Sequence, residues 1–150
     1  MIKVTAQACI QDVVLKIKKT GEFGSQSKEK VVSVYSEEDL FDKMKLVEYP
    51  AVGVMYEGTR RLPGDKSTQG VAGELTVALV LLMSGKSVGG LTNDNEAARL
   101  LDKLRKAFRD NCGDALTGHK WVFVNELPAS TGKSNLLMYV QRWSTSIILV

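Results

Sequence analysis

The sequence predicts an α+β fold, a mostly antiparallel β-sheet with amphipathic helices packed on one face. Apolar residues recur at helical spacing in some stretches and alternate with period two in others. The order of these stretches is helix, strand, helix, strand, strand, helix, strand, strand. The gaps between strands 51–57 and 74–83, and between 121–125 and 136–149, hold no helical pattern, which favours direct antiparallel pairing over βαβ crossovers. A chain of 150 residues fits one domain, 1–150, able to bury about 70% of its unfolded surface.

Residues 1–20 read as an amphipathic helix. Ala6, Cys9, Ile10, Val13, Val14 and Ile17 share a stripe, and Lys16, Lys18 and Lys19 fill the last turn, where cations suit the dipole. Gly21 stops it. Residues 22–30 form a polar loop and 31–35 a short β-prone run. Ser36, with Asp39 three residues on, opens a second helix continued by Leu40, Phe41, Met44 and Val47. Pro50 holds the preceding residue extended, so that helix ends near Val47. Residues 51–57 then form a strand with Val52, Val54 and Tyr56 on one face.

Residues 58–73 hold Gly58, Pro63, Gly64, Gly70 and Gly73 among Arg60, Arg61, Asp65 and Lys66. They read as a long loop, a kind that is usually functional. The strand at 74–83 has Leu75, Val77, Leu79 and Leu81 on one face and Ala78, Val80 and Leu82 on the other, so it is central or covered on both sides. After a glycine-rich segment, Thr92 or Asn93 caps a helix over 94–112 with the stripe Ala97, Leu100, Leu101, Leu104, Ala107 and Phe108. Gly113 ends it. Arg99, Lys103, Lys106 and Arg109 make its outer face, read as solvated.

The C-terminal block is a short strand at 121–124, a polar loop, and a strand from about Leu136 to the end. In the last strand Leu137, Tyr139, Trp143, Ile147 and Leu149 alternate, interrupted by Gln141 and Thr145. Roughly 14 residues at about 3.3 Å each reach about 45 Å, nearly the width of such a domain. Either this strand is bent or bulged, or one end leaves its own sheet and meets another copy. Trp121 and Trp143 are expected as core or interface anchors.

Composition narrows the chemistry. With 44% hydrophobic and 25% charged residues a packed core is expected and disorder is not. The net charge of +3 and pI near 8.8 fall short of a dedicated nucleic-acid binder. Cys9 and Cys112 lack C-x-x-C spacing and read as reduced core thiols. Neither a membrane span nor a signal peptide is expected, and the chain reads as soluble. Ser84-Gly85-Lys86-Ser87 and Ser130-Thr131-Gly132-Lys133-Ser134 resemble parts of a phosphate-binding loop. The earlier glycine that the loop requires is Val80 in one case and Leu127 in the other, and no helix pattern follows the lysine. His119 is the single histidine, and the distant cysteines supply no zinc set. Glu37, Glu38 and Asp39 sit where helix-start carboxylates are favoured. No enzyme activity, cofactor or metal is expected.

Several segments resemble those of bacteriophage tail terminator proteins. They are Tyr49-Pro50-Ala51-Val52-Gly53-Val54-Met55-Tyr56, the strand 74–83 with the helix 94–109, His119-Lys120-Trp121-Val122-Phe123-Val124-Asn125-Glu126, and Leu137-Met138-Tyr139-Val140-Gln141-Arg142-Trp143-Ser144-Thr145. The last block is the most alike, and 31–35 and 58–73 are unmatched. The resemblance implies a structural virion protein of a phage or prophage tail, assembled in the bacterial cytoplasm and located near the neck. It implies a homohexameric ring that caps the tail tube, stops its polymerisation and joins a neck or head-connector protein. DNA would pass through the lumen without sequence-specific binding, and no membrane is involved. Expected interface residues are Arg60, Arg61, Lys66, Arg142 and Trp143. The alternatives are another head–tail connector or tail completion protein, or a small nucleic-acid-binding module using Arg60, Arg61 and Lys66.

Overall fold

The computed structural model describes residues 3–23, 31–34, 50–63, 71–84, 93–110, 120–129 and 136–149. Its elements are β1 (Lys3–Val4), α1 (Ala6–Lys19), β2 (Val31–Val34), β3 (Ala51–Arg61), β4 (Val71–Ser84), α2 (Asn93–Asp110), β5 (Val122–Ala129) and β6 (Leu136–Leu149). The expected helix opening at Ser36 and the two phosphate-loop-like turns after Ser84 and Ala129 lie outside the described residues.

Two strands of 14 residues, β4 and β6, form the spine of the sheet. They pair antiparallel without a register break, from Val71 opposite Leu149 to Ser84 opposite Leu136. The length of β6 is thereby matched inside the chain, and β6 is no edge strand with an end to spare. It is central: β4 lies on one side, and β5 and β1 share the other. The sheet order is β1–β6–β4–β3–β2, with β5 also on β6. Strands β3, β4, β6 and β5 form the expected antiparallel set. Two short parallel pairs, β2 with β3 and β1 with β6, were not legible as such.

Alternation on β4 divides the core. Leu75, Val77, Leu79 and Leu81 join Cys9, Val13 and Ile17 of α1 and Leu100, Leu104 and Phe108 of α2 in the larger buried cluster. Val80 and Leu82 join Ala51 and Met138 in a smaller one. The expectation that β4 is covered on both faces holds: 75 and 77–83 are all buried.

Thr5, extended at φ −91°, caps α1 by accepting a 3.1 Å hydrogen bond from the Ala8 amide, so the helix starts at Ala6 and not Met1. Gly21, at φ 75°, lies just past the helix end as expected. Lys16 departs from the reading of a solvated dipole cation. It is 1% exposed, and its Nζ lies 3.2 Å from the Asp12 carboxylate one turn earlier. The Trp121 indole donates to the other Asp12 oxygen at 3.2 Å, tying the start of β5 to α1.

The expected loop 58–73 is strand at both ends. Gly58, at φ 109°, sits where the β3–β4 register slips after Tyr56, so it serves a bulge. Gly73 lies opposite Arg61, and a Cβ there would stand 2.6 Å from Thr59 Cγ2 and 3.0 Å from the Arg60 carbonyl oxygen. Both glycines therefore belong to a β-arm. Residues 64–70, including Lys66, lie outside the described residues.

Candidate functional site

The two lateral edges of the sheet carry the features that packing within the chain leaves over. At one edge β5 pairs, among the described residues, only with β6. Its exposed apolar residues are Val122 (59%), Phe123 (43%), Val124 (47%) and Leu127 (54%). An edge strand is ordinarily protected by free charges, a bulge or proline. This one has a register slip between Phe123 and Asn125, and Pro128, which lacks an N–H to offer a neighbour.

The charged side chain of β5, Glu126, is already engaged. Arg105 Nη1 donates to Glu126 Oε1 at 2.5 Å and to Oε2 at 2.6 Å, and Gln141 Nε2 donates to Oε1 at 2.7 Å. The Arg105 guanidinium also pairs with Asp102. Gln141 accepts from the Trp143 indole at 2.7 Å and donates to the Leu101 carbonyl at 3.3 Å. Gln141, which breaks the apolar alternation of β6, thus links α2, β5 and β6. Around it Ala98, Leu101, Asp102, Arg105, Glu126, Pro128 and Tyr139 line a cleft of about 210 Å³.

On the side of β4 that carries Val80, a groove of about 200 Å³ runs between Met55, Val80, Leu127, Ala129, Met138 and Val140. In that row Gly53, opposite Val80, has no side chain to fill the space. Arg142 borders the groove, donating from Nε to Glu57 at 2.8 Å and from Nη1 to Asn125 at 3.5 Å. The intervening strand offers Ala78 opposite both Arg142 and Met55, short enough for the ion pair to pass over it.

At the other edge β2 accompanies β3 only from Val52 to Met55. Beyond that point, 56–61 has no outer strand among the described residues. Tyr56 is 37% exposed, and its hydroxyl lies 2.6 Å from that of Thr59. Arg60 is opposite Glu74, with 3.6 Å between charged atoms and its side chain 81% exposed, and Arg61 is exposed.

Of the five residues expected at an interface, Arg60, Arg61, Arg142 and Trp143 lie among the described residues. Arg60 and Arg61 lie in strand β3, not in a loop. Arg142 is tied to Glu57, and Lys66 is outside the described residues. Trp143 is core within the chain: 4% exposed, stacked on Phe108 at 4.8 Å between centroids, with Phe123 edge-on at 5.5 Å. The sequence reading passed over the exposed residues of β5. Their signal was the continuous run Val122-Phe123-Val124, which a strand buried on one face alone does not need.

On the outer face of α2, Arg99 is paired. Arg99 Nη1 donates to Glu22 at 2.9 Å and Arg99 Nε to Glu96 at 3.0 Å, so the outer face of α2 is not simply solvated. Hydrogen bonds from Arg99 hold both carboxyls below their ordinary range, against slight desolvation. The same bonds, donated to Glu96 and then to Glu22, raise Arg99 further. Burial, with a smaller push from Asp12, raises the Cys9 thiol to about 11. Among the described residues no three His, Cys, Asp or Glu side chains converge on a metal position, and no helix is long and apolar enough to cross a membrane.

No protein-family model matches the sequence, and no curated protein matches it. Among solved structures, a chain from the virion of a native gene transfer agent particle is similar in fold. The TM-score is 0.50 at 9% sequence identity, with 96% of this chain and 95% of that chain covered.

Proposed function

We propose that this chain is a structural subunit of a phage or phage-like virion, with no catalytic role, and that it acts as a tail terminator. In this reading it forms a homohexameric ring on the last ring of tail tube protein, halts tube polymerisation and offers its other side to a neck or head-connector protein. DNA passes through the lumen without sequence-specific binding. The observation that carries the reading is the end-to-end likeness of fold and length to a virion chain. The edge of β5 supports it, because a subunit destined for a ring needs two different sticky surfaces. We also assign both helices to one face of the sheet, which leaves the edges open to neighbours.

The reading is tested by the kinetics of tube growth. Added well below one copy per tube subunit, a terminator arrests elongation of its tube protein and leaves short tubes, as followed by light scattering. Unchanged tube length at a molar excess of this chain would contradict it. Another head–tail connector or completion protein is the neighbouring reading, and contact with the terminal tube ring separates the two.

A further inference from the structure

We draw no further inference here: the strongest candidate, the exposed apolar edge of the sheet at Val122, Phe123, Val124 and Leu127 of β5, carries nothing because no feature of the described residues shows what covers it.

Discussion

Replacing Asp12 with Ala removes the carboxylate that Lys16 Nζ and the Trp121 indole both approach at 3.2 Å. Asp12 and Lys16 are each 1% exposed, so little solvent is at hand to take its place. Removing one member of a buried ion pair costs about 3–5 kcal/mol, chiefly because the remaining charge stays desolvated. The orphaned indole N–H adds a share of the roughly 1–3 kcal/mol of an unmet buried donor. Against a total stability of about 5–15 kcal/mol for a domain, a net loss of about 3–5 kcal/mol is severe. Trp121 and Trp143, each 4% exposed, make fluorescence during urea unfolding a suitable assay. The control is Asp12→Leu with Lys16→Met, which removes both charges and keeps side-chain volume. That pair should fall within about 1 kcal/mol of the parent or exceed it. A loss under about 1 kcal/mol for Asp12→Ala would refute the pairing argument. So would a double variant as unstable as the single one.

Trp143→Ala should cost about 3–5 kcal/mol, since the ring is buried and stacked on Phe108; a normal melt would place the ring outside the core. Thr145→Val should raise stability by about 1 kcal/mol, because the buried Thr145 hydroxyl has no hydrogen-bond partner among the described residues; a destabilised variant would imply one. The Cys9 thiol keeps its proton in the fold up to about 11, while the unfolded thiol loses it near 9.0. The native state then holds more protons over that range, so stability falls as pH rises through it, by roughly 2–3 kcal/mol. Cys9→Ala should flatten that part of a pH–stability curve, and an unaltered slope would count against it.

Legibility in the sequence followed how far each residue's local pattern decides its environment. The paired apolar faces of β4 had one solution, a strand covered on both sides, and the stripe of α2 likewise had one. The extent of β6 was readable from alternation, but its neighbours were not, because pairing with an equally long β4 depends on residues over fifty positions away. Gly58 and Gly73 misled because glycine marks turns, bulges and close approaches alike; only the Thr59 and Arg60 atoms over Gly73 decide which. Lys16 looked like a helix-end cation until tertiary packing closed over it. At the edges, the run Val122-Phe123-Val124 signals more apolar residues than one buried face needs, but only the packing shows which of them meet solvent.

The most direct test of the central claim is negative-stain electron microscopy of the purified chain at high concentration, alone and with its candidate tail tube protein. The account predicts six-fold rings, or tubes of uniform length each capped at one end. Monomers that leave the tubes uncapped and their lengths unchanged would contradict it.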